Sequence, residues 1–182
     1  MKSPVSPRVR ILGNRRLAVL VVGPLFALVT ACSGSLNIGS GVSEASDVSV
    51  GECVTVKDSD DGKVEASKTD CEGSDDFTFY VASKVSNSAT CSGSLSTLSF
   101  EEGNEKACLT PNLASGKCYQ VPSAEGGGLA DFKQVDCGAT AAASTVIVEV
   151  SERGTADVAC TSAQTSLSFT EPESIGYCLT VQ

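Results

Sequence analysis

Gly51-Glu52-Cys53 and Cys108-Leu109-Thr110 bracket a segment that the chain repeats between Gly116-Lys117-Cys118 and Cys178-Leu179-Thr180. Each copy holds four cysteines, spaced 18, 20 and 17 residues apart in the first and 19, 23 and 18 in the second. In both copies a Leu-Ser-Phe motif ends nine residues after the third cysteine. Matched spacings and motifs of this kind indicate an internal duplication. The sequence therefore predicts two similar lobes, residues 49–112 and 113–182.

The first 31 residues have the pattern of an export signal. Five basic residues and no acid occupy this segment, and the apolar stretch Leu17–Val29 is interrupted by Gly23-Pro24, which makes it short for a membrane span. Its end, Val29-Thr30-Ala31-Cys32, resembles the bacterial lipobox, and this resemblance implies that Cys32 is lipidated and becomes the new N-terminus. An ordinary signal peptide or an uncleaved anchor is the alternative. Arg15-Arg16 leaves the twin-arginine route open beside the general secretory route, which we favour.

Lipidation of Cys32 decides the expected location. A lipobox cysteine implies a diacylglyceryl group, with palmitate-type chains, and two or more acyl chains anchor a protein stably. We therefore expect the protein on the outer face of the cytoplasmic membrane. Residues 32–48 are rich in Ser and Gly and predict a flexible tether.

Charge narrows the classes of partner. All 22 acids lie after residue 31, together with only eight of the 13 basic residues, so the remaining chain carries 8 − 22 = −14. A surface of this sign repels nucleic acid and anionic lipid headgroups, so we expect no nucleic-acid partner. We expect a basic or neutral partner, either an envelope protein or a cell-wall component.

The cysteines predict disulfides. Without Cys32 eight remain, an even number in an exported chain: Cys53, Cys71, Cys91, Cys108, Cys118, Cys137, Cys160 and Cys178. Close Cys pairs and histidine are both absent from the sequence, which argues against zinc and thioredoxin-like chemistry. If a hairpin joins the first two cysteine-bearing strands of each lobe, the pairs are first with second and third with fourth. Four cysteines allow three connectivities, and the sequence leaves the choice open.

Alternating apolar residues predict a mainly β fold of antiparallel lobes, with α+β as the alternative. We expect strands at Cys53–Val56, Val64–Cys71, Phe77–Val81, Ala107–Thr110 and Thr145–Val150. Asp61-Gly62 favours a hairpin turn, and the acids of Asp58–Gly62 lack the spacing of a calcium loop. Between the third and fourth cysteines of the first copy, Cys91–Glu102 predicts a short helix or an irregular loop.

With its lipobox, Gly-Glu-Cys, Val-Asp-Cys and closing Cys-Leu motifs, the chain resembles the LppU-like lipoproteins of actinobacteria over residues 49–182. Each repeat is also similar, more distantly, to the septum-formation-type extracellular domain of the same bacteria. Those domains carry a Pro-His after the second cysteine, and this chain has neither residue there. The resemblance implies a cell-envelope location and no particular chemistry.

Catalysis is not expected from these residues. Without histidine there is no Ser-His-Asp site, and the carboxylate pairs Asp75-Asp76 and Glu101-Glu102 lie in polar, turn-like surroundings. We expect no enzyme and no cofactor. The leading hypothesis is a membrane-anchored binding or scaffold module, whose surface lies near the short link Pro111–Ala114. The alternatives are an extracytoplasmic carrier of an apolar ligand held between the lobes, and a carboxylate-dependent hydrolase.

Overall fold

Eleven β-strands form two antiparallel sheets in the residues that the computed structural model describes, which are 41–60, 63–123 and 126–182. The first six strands are β1 (Gly41–Val42), β2 (Cys53–Asp58), β3 (Val64–Thr69), β4 (Thr78–Ser86), β5 (Ser96–Leu98) and β6 (Glu105–Pro111). The other five are β7 (Cys118–Pro122), β8 (Lys133–Val135), β9 (Thr145–Gly154), β10 (Thr165–Phe169) and β11 (Ile175–Val181). The predicted signal peptide, Cys32 and the turn at Asp61-Gly62 lie outside the described residues.

The two sheets have the same topology. The first runs β1-β3-β2-β4-β6-β5, and the second, in the matching direction, β8-β7-β9-β11-β10. Each of β2 to β6 thus has a counterpart in β7 to β11, and β1 is an addition at the outer edge of β3. The predicted duplication of a small antiparallel β lobe is confirmed.

The likeness extends to single hydrogen bonds. Gly51 donates its amide to the carbonyl of Val81 at 2.8 Å, and Gly116 donates to the carbonyl of Val150 at 2.7 Å. Both glycines have positive φ, at 90° and 74°, a conformation that disfavours any side chain. The Gly-x-Cys motif therefore turns the chain into the first strand of each lobe in the same way.

Four disulfides crosslink the chain, two within each lobe. They join Cys53 to Cys71, Cys91 to Cys108, Cys118 to Cys137, and Cys160 to Cys178. The predicted disulfide bonds are confirmed, and the pairing is the one that the hairpin argument favoured. In each lobe the first bond ties the two ends of a hairpin, because Cys53 lies opposite Thr69 in the β2–β3 pair.

The two hydrophobic cores share residues across the lobes. Phe79, Val81 and Leu109 lie in the first core, against which Leu129 and Phe132 of the second lobe pack. The second core contains Val148 and Val150, and Leu95, Phe77 and Tyr80 of the first lobe pack against it. Alternating apolar residues of β4 and β9 thus supply the cores, and each lobe completes the core of the other.

Two local predictions were wrong. Leu95 and Leu98 have helical spacing, yet Ser96–Leu98 forms an edge strand that pairs with β6. The reason is that Leu98 is buried in the first core while Leu95 packs against the second, and one helical face cannot serve both. Residues 41–48 are not part of a flexible tether, because β1 pairs with β3 and Val42, Ala45 and Val48 are buried.

Candidate functional site

The link between the lobes is held by side chains from both of them. The Tyr177 hydroxyl donates to the carbonyl of Pro111 at 2.8 Å, and the amide of Ala114 donates to the Tyr119 hydroxyl at 2.9 Å. Burial raises the pKa of Tyr177 to about 12, so this phenol stays protonated and keeps its donor role. These contacts give the link one fixed path between the sheets.

Asn112 is the residue of the link that contacts both lobes through its side chain. Its amide donates to the carbonyl of Cys71 at 2.7 Å and to the Thr78 hydroxyl at 3.0 Å, both in the first lobe. Its carbonyl oxygen accepts a hydrogen bond from Arg153 Nη1 of the second lobe at 3.0 Å. The carboxamide therefore ties the two repeats together at one point.

Arg153 is held in a single position by three acceptors. Besides Asn112, the Leu113 carbonyl accepts from Nη1 at 3.1 Å and the Tyr80 hydroxyl accepts from Nη2 at 3.2 Å. The guanidinium carbon also lies 6.0 Å from the centre of the Tyr80 ring and 5.9 Å from that of Tyr177, within cation–π range. Burial alone would lower the pKa of Arg153, but the hydrogen bond to Tyr80, the nearby phenols and the carboxylate of Glu173 raise it overall. The group therefore carries a full positive charge.

These residues border a cleft of about 430 Å³ between the lobes. Its aromatic and polar lining comprises Thr78, Tyr80, Tyr119, Gln134 and Arg153 from the sheets, Phe77 just before β4, and Asn112 and Ala114 from the link. The rest of the wall is the loop between β3 and β4, residues 71–76, which carries Glu72, Asp75 and Asp76. The volume is in the range of sites that bind small molecules, about 300–1,000 Å³. The cleft adjoins the link, where the sequence analysis placed the working surface.

The two predicted carboxylate pairs lie in different places. Asp75 and Asp76 are exposed at the cleft, and Asp76 forms an ion pair with Lys57 at 2.7 Å. Glu101 and Glu102 border a separate groove of about 590 Å³ on the first lobe, where Glu101 pairs with Lys63. The two pairs therefore do not converge on one site.

A second space between the lobes is apolar. It has a volume of about 170 Å³ and is lined by residues such as Leu113, Val148 and Phe169. This is below the size of ordinary ligand sites. The apolar-carrier hypothesis requires a sizeable apolar cavity, and this space is small for that purpose.

The eight cysteines named by the sequence analysis all serve as structural crosslinks, and Cys71 also lines the cleft. Arg153 and Tyr80 were not predicted from the sequence, and Asn112 was named only as part of the link Pro111–Ala114. One signal for the first was present, since Arg153 is the only arginine after Arg16. No sequence pattern links it to Tyr80, which lies 73 residues away in the chain.

The described part of the chain has no group of three or more His, Cys, Asp or Glu side chains placed to hold a metal ion. In the same residues, no helix has the length and apolar character that crossing a membrane requires. Comparisons of the chain with models of known protein families, with curated proteins and with solved structures gave no match.

Proposed function

We propose that the protein is a lipid-anchored, non-enzymatic binding module of the cell envelope that uses the cleft between its lobes. The observation that carries this proposal is the cleft itself, in which residues of both repeats surround the positioned guanidinium of Arg153. The lipobox ending in Cys32 supports a location on the outer face of the cytoplasmic membrane. The partner is an envelope protein or a cell-wall component that presents a small polar group to the cleft.

Preorganisation of the cleft supports a binding role. Asn112 joins the lobes, two tyrosine hydroxyls hold the link, and the Thr110 hydroxyl donates across the junction to the carbonyl of Glu171 at 2.8 Å. A site whose parts are already in place loses little conformational entropy when it binds. This is a reason for the duplication, because the second repeat completes a site that one repeat lacks.

The side chains at the cleft favour binding over catalysis. Tyr177 does not line the cleft but lies behind Arg153; with a pKa of about 12 it is buried and donates to the link, so it is poorly suited to move a proton near neutral pH. Asp76 is exposed and engaged by Lys57. The chain contains no histidine, and the cysteines of the lobes are in disulfides.

Site-specific photocrosslinking tests the proposal. Gln134 and Lys133 are adjacent exposed residues of β8, and of these two Gln134 lines the cleft while Lys133 points to the other face of the strand. A photoreactive amino acid at position 134 of the full chain, in the cells that make it, is expected to give a discrete adduct. The same group at position 133 is the matched control and is expected to give none. Equal crosslinking at both positions, or none at either, would count against the cleft as the working surface.

A further inference from the structure

Arg153 forms no ion pair with a carboxylate among the described residues, although the exposed Glu173 lies near enough for its charge to help raise the pKa of the guanidinium. Its three hydrogen bonds go to an amide oxygen, a backbone carbonyl and a phenol, and none of the ion pairs in the described part of the chain includes it. A guanidinium has five N–H groups, so these contacts account for three of them. A half-buried cation that makes no ion pair within the described residues, at the wall of a cleft, is suited to an anionic group of a ligand.

The opposite charge lies on the loop between β3 and β4. Glu72 and Asp75 line the same cleft and are exposed. Asp76 is paired with Lys57, whereas neither Glu72 nor Asp75 belongs to an ion pair among the described residues. These two carboxylates are therefore suited to attract a cationic group to the mouth of the cleft.

Two phenols add neutral donors near the guanidinium. The Tyr80 hydroxyl accepts from Arg153, and the Tyr119 hydroxyl accepts from the Ala114 amide. A phenol that accepts one hydrogen bond still has its own hydrogen to donate. The cleft therefore combines a cation and hydroxyl donors on the side of the sheets with carboxylates on the side of the loop.

We propose that the cleft binds a small zwitterion, an amino acid or a short peptide, with its carboxylate at Arg153 and its ammonium group at Glu72 and Asp75. This assignment rests on the proposed function and names the ligand class of the same site. The net charge supports it, because a domain with a large excess of acids repels a simple anion but not a molecule whose charges sum to zero. The cleft volume of about 430 Å³ also suits a ligand of this size.

The test uses three peptides and the purified full chain. Alanyl-alanine carries both charges, its N-acetyl form lacks the ammonium group, and its C-terminal amide lacks the carboxylate. Binding is measured by isothermal titration calorimetry and by shifts in the NMR signals of the backbone amides of Tyr80 and Ala114. We expect alanyl-alanine to bind, and each capped form to bind at least about tenfold more weakly, because each loses one charge-assisted contact.

Variants of the protein test which residue of the cleft binds each charged group of the peptide. Asp75→Asn combined with Glu72→Gln changes only exposed side chains, and it is expected to weaken alanyl-alanine about tenfold without weakening the N-acetyl form. Arg153→Gln is expected to weaken alanyl-alanine without weakening the amide. Asp60→Asn, an exposed acid that is not among the residues lining the cleft, is the control and is expected to bind like the parent protein.

Equal affinity for the three peptides would overturn the zwitterion assignment, and so would the absence of binding to all of them. Unchanged affinity in the exposed double variant would overturn the role of the loop, even if Arg153→Gln failed to fold. Failure of the peptide experiment is distinct from failure of the proposed function. The crosslinking contrast between positions 134 and 133 tests the cleft without any assumption about the ligand.

Discussion

The carboxamide oxygen of Asn112 and the Nη1 atom of Arg153 are 3.0 Å apart, although 41 residues separate them in the chain. Asn112 belongs to the link, and Arg153 lies near the end of the long strand β9 in the second lobe. Because the same amide also donates to Cys71 and Thr78 of the first lobe, one side chain contributes both to the relative position of the two lobes and to the position of the guanidinium.

Replacing Asn112 by alanine is expected to destabilise the protein by about 1–3 kcal/mol, since it leaves partly buried partners without their hydrogen bonds. The free energy of unfolding in urea measures the loss. Asn104→Ala is the matched control, because Asn104 is exposed, and a change within about 0.5 kcal/mol is expected there. Equal effects of the two substitutions would show that Asn112 does not join the lobes.

Phe132 is expected to stabilise both lobes at once. Its ring lies 5.1 Å from that of Phe79 and 5.3 Å from that of Phe77, centre to centre, across the junction. Phe132→Ala should cost about 2–3 kcal/mol, less than in a full core because the ring is half-buried. We expect a single unfolding transition in the parent protein, with circular dichroism and tyrosine fluorescence changing together.

Val181→Ala provides the control for Phe132→Ala, because Val181 is 63% exposed and is expected to change stability little. Two separate transitions in the parent protein would mean that the lobes fold independently and that the shared cores contribute little.

Acid should release the segment that precedes β2. The Asp47 carboxylate accepts hydrogen bonds from the Ser43 amide at 2.8 Å and the Glu44 amide at 3.1 Å, and these bonds lower its pKa. A bond from the Ser49 amide lowers the pKa of Glu52, with burial opposing it and Lys68 adding to the effect. A carboxylate whose pKa is lowered by folding stabilises the fold above its unfolded pKa, about 4, and the stabilisation is lost as the pH falls through the folded value.

The Ser43 and Ser49 amides are therefore expected to become less protected from hydrogen exchange below about pH 4. Protection here means the measured exchange rate corrected for the intrinsic rate at each pH. In the variant Asp47→Asn, the Ser43 amide should be less protected at pH 7 than in the parent protein. Its protection should also no longer fall at acidic pH, because the variant lacks the carboxylate that becomes protonated there. Protection of the Ser43 amide that does not change with pH in the parent protein would contradict the role of Asp47.

The four disulfides predict a simple mass difference. Reduction should add eight hydrogens, two for each bond, and the unreduced lobes should contain no reactive thiol. Removing one bond by the double change Cys53→Ser and Cys71→Ser should cost about 2–5 kcal/mol. Labelling of several cysteines in the purified, unreduced protein would contradict the four crosslinks.

Lipidation should depend on the thiol of Cys32. Cys32→Ser is expected to leave an unlipidated precursor that keeps its signal segment, because serine offers no thiol to form the thioether. Intact-mass measurement of the membrane fraction checks both features. Normal processing and anchoring of this variant would show that the lipobox interpretation is wrong.

The amino-acid sequence by itself was enough to predict the duplication, the β class and the disulfides. These properties depend on interactions that are local or periodic: a hairpin brings Cys53 next to Cys71, and a period of two places Phe79 and Val81 on one face. The spacing of Leu95 and Leu98 wrongly favoured a helix, because the two side chains pack in different cores. The few apolar residues of 41–48 show too little periodicity to indicate a strand, so the segment was predicted to be a tether.

Which residues form the cleft is determined by the tertiary structure alone. Arg153, Asn112 and Tyr80 come together because the second sheet folds back on the link and on the first lobe, over separations of 41 and 73 residues. Contacts of this range depend on how two sheets pack, and each residue alone has the sequence signature of an ordinary surface side chain. The sequence contained one sign of the site, its single arginine after residue 16, and only packing gave that arginine its partners.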